Sequence, residues 1–293
     1  MTQTVGFIGL GLMGQAFTAR LKETGHRVVG FDIDAAKVAQ AKANGVEPAS
    51  SPAEVARQAD VVLVCVINTA AVEDVISGPN GIVTAGRLDG KVLVDHSTTK
   101  IAATKAQAET LASGTGMAFI DAPVSGGPDA ARAGTLAIMA GGEDAAIRKV
   151  TPLMEKLGRF THMGAVGAGQ ATKLVNQTLV LTNYCVIAEA VRLAQAYGVD
   201  AKKIPDALAA GHAGSNLLPI ALARMVDEDF APRGYARQIL KDLEMLQEAA
   251  QEHHLAMPMS SQALMLFRKL VAAGKSELDG TAVISLIPKP PPN

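Results

Sequence analysis

The chain has 293 residues, of which 48% are hydrophobic and 19% are charged, and this size and composition favour two domains with a sizeable buried interior over a disordered chain. Its formal net charge of −1 gives no electrostatic attraction to nucleic acid or to an anionic membrane surface, so we expect neither as a partner. Two cysteines are too few for a disulfide framework, which favours a reducing compartment and a cytoplasmic protein.

Short β-branched runs alternate with helix-like stretches through the first half of the chain. Several of these runs are apolar on both faces, as is typical of parallel strands that are covered by helices on each side. None approaches the ~20 consecutive apolar residues that a helix needs to span a bilayer. The predicted strands are residues 5–8, 27–31, 61–67, 92–95, 118–121 and 136–140.

The clearest helix start lies at Ser51-Pro52-Ala53-Glu54. Serine is a preferred N-cap, proline is favoured at the first helical position, and a glutamate three residues after the serine completes a capping box. Together with the strands, this rhythm predicts a doubly wound α/β domain over residues 1–163.

The alternation stops near His162, and from Ala168 onward apolar residues recur at helical spacing. One long helix is predicted from about Ala168 to Tyr197, where Gly198 is a natural C-terminal stop. Residues 164–293 are therefore predicted to form an all-helical domain that begins with a long interdomain helix. Such a domain offers a surface for subunit contacts, and we expect a homo-oligomer.

A glycine-rich turn directly follows the first predicted strand and opens a helix, with the sequence Gly9-Leu10-Gly11-Leu12-Met13-Gly14. In this G-x-G-x-x-G pattern the first glycine allows a tight turn, the second lets the backbone approach a pyrophosphate, and the third lets helix and strand pack closely. The helix N-terminus then faces the negative charge of the pyrophosphate. The pattern predicts a Rossmann-type dinucleotide site that includes all six residues; the alternative is a plain glycine-rich turn.

Asp32 ends the next predicted strand, at the distance where an acidic residue binds the adenosine ribose hydroxyls. A 2′-phosphate at the same place would meet a like charge, and no arginine follows within Ile33-Asp34, so NAD is favoured over NADP. Lys37, one turn into the next helix, would soften this discrimination. Capping of that helix is the alternative role for a strand-end acid, and Asp34 fits it better than Asp32 does.

Polar residues follow two more predicted strands at their C-terminal ends, where ligands bind in open α/β sheets. They are Asn68 after one strand and Ser97 with Thr98 after the next. We expect these three residues to contact the cofactor and His96 to lie near its nicotinamide half. Helix capping is the alternative role for Ser97 or Thr98.

Two further stretches carry candidates for chemistry. One is the turn after a strand, Asp121-Ala122-Pro123-Val124-Ser125-Gly126-Gly127, which offers consecutive backbone N–H groups beside a hydroxyl and so suits a carboxylate. The other is the glycine-rich stretch 164–169, which opens the long helix that carries Lys173 and Asn176. The alternative for Lys173, a solvated lysine on a polar face, is opposed by the apolar residues around it.

On these motifs the chain resembles the β-hydroxyacid dehydrogenase family over essentially its whole length. Residues 6–14 are similar to the family's cofactor signature, and residues 121–127 are similar to its substrate signature. Lys241-Asp242-Leu243 matches a late K-D-L element. The catalytic motif G-x-x-G-x-G-x-x-x-K-x-x-N is matched by Gly164, Gly167, Gly169, Lys173 and Asn176.

The resemblance implies an oxidoreductase that transfers hydride between NAD(P) and a small 3-hydroxy acid or its semialdehyde, as 3-hydroxyisobutyrate dehydrogenases and 2-hydroxy-3-oxopropionate (tartronate semialdehyde) reductases do. It makes Lys173 the catalytic acid/base, places Asn176 in the active site, and makes Ser125, Gly126 and Gly127 the site of the substrate carboxylate. A lysine can take this role near neutral pH when desolvation lowers its pKa. The resemblance also places Lys241 near the junction of cofactor and substrate.

Two features depart from the family pattern, and a third residue has a second interpretation. Many members follow the lysine with two asparagines where this chain has Asn176-Gln177, and Gln177, on the same helix face as Lys173, is expected to line the substrate pocket. Ala130 stands where many members have glycine. For Lys241, a surface ion pair with Asp242 or Glu244 is the alternative to cofactor binding.

Two other functions compete with this assignment. An imine reductase has a similar architecture but typically replaces the catalytic lysine, and a non-catalytic nucleotide-binding module would also lack it; Lys173 argues against both. No metal site is expected, because the neighbouring residues His253 and His254 point about 100° apart on a helix.

Overall fold

The computed structural model describes residues 3–291, which divide into two compact units, one ending at Lys173 and the other beginning at Leu174. This division falls inside the long helix, so the helix belongs in part to each unit. The domain boundary predicted between residues 163 and 164 stays a prediction.

The first unit is built on one nine-stranded sheet with the strand order β3-β2-β1-β4-β5-β6-β8-β7, and β9 pairs with β8. The first six strands in this order are parallel, whereas β8 runs antiparallel to β6 and β7. The strands are β1 (Thr4–Ile8), β2 (Arg27–Phe31), β3 (Glu47–Pro48), β4 (Val61–Val64), β5 (Val92–Asp95), β6 (Ala118–Asp121), β7 (Val124–Ser125), β8 (Leu136–Gly142) and β9 (Gly158–Gly164).

The order 3-2-1-4-5-6 is that of the Rossmann fold, in which the chain reverses direction across the sheet at β1. A crevice outside the carboxyl ends of β1 and β4 follows from this reversal, and it is where such folds bind ligands. The predicted fold class, a Rossmann-type sheet followed by an all-helical region, is confirmed.

Helices cover both faces of this sheet, and β4 shows why its sequence is a continuous apolar run. Val61 and Leu63 belong to one buried apolar cluster, and Val62 and Val64 belong to another. Successive side chains of a strand point to opposite faces, so both faces must be apolar. The helices of this unit are α1 (Leu12–Glu23), α2 (Ala35–Ala43), α3 (Pro52–Gln58), α4 (Thr69–Ser77), α5 (Ile101–Thr115), α6 (Gly127–Ala133) and α7 (Asp144–Met154).

The predicted capping box at the start of α3 is present with one change. The Ser51 hydroxyl accepts the N–H of Glu54 at 3.1 Å, as expected of an N-cap. The Glu54 carboxylate, however, accepts the N–H of Ser50 at 2.6 Å, one residue before the predicted donor.

Three strands were not predicted, and one predicted strand was too long. The strands β3 and β7 have two residues each, too few to show an alternating pattern. The strand β9 lies at an edge and is mostly exposed or half-buried, so its sequence carries little apolar signal. The run predicted over residues 61–67 ends as a strand at Val64, because the chain then turns toward Asn68, the N-cap of α4.

The second unit contains helices and short 3₁₀ segments, with no strand longer than the isolated bridge between Tyr235 and Asp279 among its described residues. The predicted long helix is α8 (Ala168–Ala196), and Gly198 follows it with a φ of +67°, as a glycine C-terminal stop requires. The other helices are α9 (Ile204–Leu208), α10 (Leu217–Val226), α11 (Ala236–Glu252) and α12 (Pro258–Ala272).

Helix α8 is long and apolar enough, by length and composition alone, to cross a membrane. One such helix is weak evidence, because the long core helix of a globular protein passes the same test. Its apolar residues are not consecutive, since Lys173, Glu189 and Arg192 interrupt them. The expected absence of a membrane partner therefore stays a prediction.

Candidate active site

The glycine-rich turn between β1 and α1 has the geometry that a dinucleotide needs. Gly9 has a φ of +96°, and a Cβ built on it would lie 2.2 Å from the carbonyl oxygen of Cys65. A Cβ on Gly14 would lie 2.0 Å from the carbonyl oxygen of Gly9, so the fold itself requires both glycines. Gly11, in contrast, faces open space: apart from its chain neighbours and its own helix, no atom of residues 3–291 lies within 4 Å of its Cβ position.

The second glycine is therefore not required by contacts within the protein, and the space beside it is available to a ligand. Gly11 is the N-cap of α1, and no side chain caps that helix. Its first N–H groups thus remain available to an anion such as a pyrophosphate. The turn fits the dinucleotide predicted for it.

Asp32 holds this turn in place. Its Oδ2 accepts the N–H of Leu10 at 2.7 Å, and its Oδ1 accepts the N–H of Asp34 at 2.9 Å. An ionised carboxylate has about four acceptor positions, so these two bonds leave capacity for ribose hydroxyls. Asp34 caps α2 by accepting the N–H of Ala36, as the sequence suggested, and Lys37 lies 3.5 Å from the Asp34 carboxylate.

The polar residues after β4 and β5 make contacts within the protein. The side chain of Asn68 caps α4 by accepting the N–H of Ala71 at 2.9 Å. The Ser97 hydroxyl accepts the N–H of Val66 at 3.0 Å and so ties the two strand ends together. The capping role considered for Ser97 and Thr98 is wrong, because the N-cap of α5 is Lys100. Cofactor contacts by Asn68, Ser97 and Thr98 stay predictions.

His96 is a buried core residue. Its Nδ1 lies 2.7 Å from the carbonyl oxygen of Ala122, and its ring stacks on Phe17 at a centroid distance of 4.9 Å. Burial lowers the pKa of His96 to about 4, so the imidazole is neutral near pH 7. These contacts account for Nδ1 and the ring face, whereas Nε2 is buried with no hydrogen-bond partner among the described residues; a place near the nicotinamide stays a prediction.

The turn expected to bind the substrate carboxylate keeps a hydroxyl group available. Ser125, at the end of β7, is half-buried, and its side chain has no hydrogen bond to any described part of the chain. The next two residues, Gly126 and Gly127, have φ values of +126° and +72°. Positive φ favours glycine at both positions, and because glycine has no side chain the backbone beside the hydroxyl stays uncovered; a Cβ on Gly126 would also lie 2.6 Å from the Cβ of Ala130.

Lys173 lies against this turn, within the first unit. Its side chain is 7% exposed, so the alternative of a solvated lysine is wrong. Its Nζ donates to the carbonyl oxygen of Val124 at 2.8 Å, and Val124 directly precedes Ser125. The fold thus brings together a buried ammonium group and a hydroxyl from residues far apart in the chain.

In the second unit, four polar side chains form a connected network. The Nδ2 of Asn176 donates to the Oε1 of Gln177 at 2.8 Å, and the Nε2 of Gln177 donates to the Oδ2 of Asp242 at 2.5 Å. The Nζ of Lys241 lies 3.0 Å from the Oδ1 of Asp242, which is the ion pair considered as the alternative for Lys241. Asp242, considered from the sequence only as a surface partner of Lys241, is buried, and the K-D-L motif gives no sign of its contact with Gln177.

Asp121 and Gln170 were missed as functional residues. Both are buried. Burial raises the pKa of Asp121 to about 6, against the opposite effect of hydrogen bonds from the backbone of Gly167 and Gln170. A strand-end aspartate in a single sequence gives no sign of these distant partners.

Comparison with known proteins agrees with this geometry. Residues 4–167 match the family described as the NAD binding domain of 6-phosphogluconate dehydrogenase. Residues 167–287 match the NAD-binding family of NADP-dependent 3-hydroxyisobutyrate dehydrogenase. The chain is 35% identical to a 2-hydroxy-3-oxopropionate reductase of Escherichia coli (strain K12), over 97% of this chain and 96% of that protein.

Solved structures are similar over nearly their full length. A 3-hydroxyisobutyrate dehydrogenase of Mycobacterium tuberculosis with L-serine has a TM-score of 0.84 at 31% identity, covering 98% of this chain and 99% of that chain. Psf3 in complex with NADP⁺ and 2-OPP has a TM-score of 0.90 at 26% identity, covering 97% and 100%. The chain therefore belongs to the β-hydroxyacid dehydrogenase family, of the 3-hydroxyisobutyrate dehydrogenase and 2-hydroxy-3-oxopropionate reductase type, and is an NAD(P)-dependent oxidoreductase.

Proposed function

We propose that the protein transfers hydride between NAD(H) and a short 3-hydroxy acid or its semialdehyde, with Lys173 as the general acid/base. The observation that carries this proposal is the buried Nζ of Lys173, which hydrogen-bonds the residue next to Ser125. A proton-transfer group and a donor for a carboxylate then lie side by side. A short hydroxy acid carries the two groups that such a pair would bind, a hydroxyl for Lys173 and a carboxylate for Ser125.

Each residue of the proposed site has a separate role in the reaction. The nicotinamide ring, when bound, supplies or accepts the hydride. The Ser125 hydroxyl and the backbone of Gly126 and Gly127 orient the substrate through its carboxylate. Lys173 donates a proton to the carbonyl oxygen during reduction and removes the hydroxyl proton during oxidation. Its positive charge also stabilises the oxyanion as it develops.

Asn176 and Gln177 are proposed to complete the substrate side. Asn176 lies one helical turn after Lys173, and residues three and four apart share a helix face. In the network with Asp242, the Nδ2 of Asn176 is used by Gln177, so its Oδ1 is the atom we expect to accept a hydrogen bond from the substrate. Gln177 then acts mainly by fixing the orientation of that amide.

A panel of short semialdehyde acids tests the reaction class. We expect oxidation of NADH with members of the 2-hydroxy-3-oxopropionate and methylmalonate semialdehyde type, and no oxidation with cyclic imines. Activity on imines alone, with none on the acids, would replace this proposal by the imine reductase alternative.

For the cofactor, we propose contacts from the Gly9–Gly14 turn, Asp32, Asn68, Ser97, Thr98 and Lys241, with NAD preferred over NADP. Two acids, Asp32 and Asp34, lie where a 2′-phosphate would be bound, and a phosphate there would be repelled. Lys37 does little to offset them, since it already lies beside the Asp34 carboxylate.

Coenzyme preference is expected to change on replacing Asp32 by serine together with Ile33 by arginine. Ile33 is 90% exposed, so an arginine fits there without disturbing the core. We expect the NADP/NAD ratio of kcat/KM to rise on the order of 10–100-fold, because a hydrogen bond to a charged group contributes about 1.5–3 kcal/mol.

The single variant Ile33→Arg is the matched control, because it adds the phosphate partner and keeps the repulsion. It should shift the ratio less than the double variant does. A wild-type enzyme that already prefers NADP would contradict the assignment of Asp32.

We also propose that the protein is a homo-oligomer. Four apolar side chains recur at helical spacing along the outer side of α8, within the second unit: Val175, Leu179, Val186 and Leu193, which are 62%, 63%, 49% and 61% exposed. An exposed apolar stripe of this kind marks a contact surface. Light scattering of the purified protein should give a mass above the 30.2 kDa of one chain; a monomer at micromolar concentration would contradict the proposal.

We also propose a cytoplasmic location without nucleic-acid or membrane partners, because the net charge is −1 and the chain has only two cysteines. Neither Cys65 nor Cys185 forms a disulfide within the described residues, which is compatible with a reducing compartment. Cys65 is only half-buried, because it follows β4 at the exposed end of the sheet. Cell fractionation tests this location.

A further inference from the structure

The carboxylate of Asp121 holds the start of the helix that carries Lys173. Its Oδ1 accepts the N–H of Gly167 at 2.7 Å, and its Oδ2 accepts the N–H of Gln170 at 2.8 Å. These donors belong to the beginning of α8, where N–H groups have no partner inside the helix. A negative charge at this end also interacts favourably with the helix dipole.

Two glycines make room for this carboxylate. A Cβ on Gly169 would lie 2.8 Å from the Oδ2 of Asp121 and 2.5 Å from its carbonyl oxygen. A Cβ on Gly141, in β8, would lie 2.6 Å from the Oδ1. The last glycine of the G-x-x-G-x-G stretch is therefore required by the close approach of Asp121 and of the carbonyl oxygen of Met139, which would lie 2.4 Å from that Cβ.

Gln170 also bonds the start of α8 to the chain that follows β5. Its side chain is 1% exposed. The Nε2 donates to the carbonyl oxygen of Ser97 at 2.8 Å, and the Oε1 accepts the N–H of Thr99 at 3.1 Å. The first turn of α8 is thus bonded to the chain after both β5 and β6.

The segment after Asp121 and the helix that starts at Ala168 come into contact again at the proposed active site. Lys173 follows Gln170 by one helical turn, and Val124 follows Asp121 by three residues along the chain. The Nζ of Lys173 donates to the carbonyl oxygen of Val124. Asp121 is therefore connected to the substrate turn through the backbone, and its hydrogen bonds from Gly167 and Gln170 hold the first turn of the helix that carries Lys173.

We propose that Asp121 is a positioning residue, which with Gln170 sets the place of the Lys173 ammonium against the substrate turn; the inference rests on the acid/base role proposed for Lys173. An ionised carboxylate suits this task, because it only accepts hydrogen bonds and two N–H groups face it. Asparagine has the same shape but would turn an NH₂ group toward one of those donors. The start of α8 would then shift, and Lys173 with it.

A double-mutant cycle separates this role from a general structural one. Asp121→Asn is introduced into the wild type and into Lys173→Ala, and kcat is measured for reduction of the best semialdehyde. In the wild-type background we expect kcat to fall on the order of 10²-fold, the usual effect of displacing a catalytic group by about 1 Å. In the Lys173→Ala background we expect a change of less than about twofold, because the group being positioned is gone.

Three further measurements keep the outcomes distinct. The affinity for NADH should stay within about twofold in Asp121→Asn and in Lys173→Ala, since the glycine-rich turn is elsewhere in the sheet; Gln170→Leu is judged by kcat alone, because Gln170 bonds the chain at Ser97 and Thr99. Asp60→Asn is the matched control: its carboxylate accepts the backbone N–H of Thr4 at 3.0 Å, away from α8, and kcat should not change. Should Asp121→Asn fail to fold, Gln170→Leu replaces it, with the same pattern of loss expected.

An equal loss of kcat in both backgrounds would overturn the positioning role and leave the acid/base role of Lys173 intact. Near-normal turnover of Lys173→Ala alone would overturn the acid/base role and the positioning role together.

Discussion

Replacement of Lys173 by alanine is expected to lower turnover by about 10²–10⁴-fold, the usual contribution of a positioned general acid/base. The affinity for NADH should remain, because the glycine-rich turn, at Gly9–Gly14, is built from a different part of the chain. The loss should appear in kcat and in kcat/KM alike, since the proton is transferred only as the transition state forms.

Two further variants show that the loss reflects chemistry. Lys173→Met keeps most of the side-chain volume in this buried site and should be as inactive as the alanine variant. Lys156→Ala removes an exposed lysine of the same unit and should retain wild-type turnover. Near-normal turnover of Lys173→Met with intact NADH binding would contradict the catalytic assignment.

Much of the fold could be predicted because the relevant signals are local. The run Val61–Val64 indicates burial on both faces because its four consecutive residues are all apolar. The capping role of Ser51 is indicated by Glu54, only three residues later. The long helix was predicted to within one residue of its end because a glycine follows it. The short strand β7 gave no such signal, although it carries Ser125.

The site was predictable only in part, because its hydrogen bonds join distant residues. Asp121 and the N–H of Gly167 are 46 residues apart, and Gln177 and Asp242 are 65 apart. A single sequence contains no information on such pairs. Residues such as Lys173 were found from their motif, whereas Asp121 and Gln170, which hold other groups in place, were not.

Chemical recognition of a carboxylate should be the strongest determinant of substrate choice. In the proposed site, an acid would accept hydrogen bonds from the Ser125 hydroxyl and from the backbone of Gly126 and Gly127. Its methyl ester has lost the charge and leaves those donors poorly paired. Because a hydrogen bond to a charged group contributes about 1.5–3 kcal/mol, the loss of one such bond is enough for kcat/KM of the acid to exceed that of the ester by more than tenfold.

Ser125→Ala shows whether this preference arises at the proposed turn. It removes the one side-chain donor and leaves the two glycines and their positive φ values unchanged, whereas Gly126→Val would also strain a residue with a φ of +126°. The KM for the acid should rise about tenfold, as expected for the loss of one charge-assisted hydrogen bond, while the KM for the ester changes little. Ser113→Ala, at an exposed position on α5, should leave both values unchanged. Equal activity of the wild type on an acid and its methyl ester would mean that no carboxylate is bound at Ser125, and the substrate would then belong to another class.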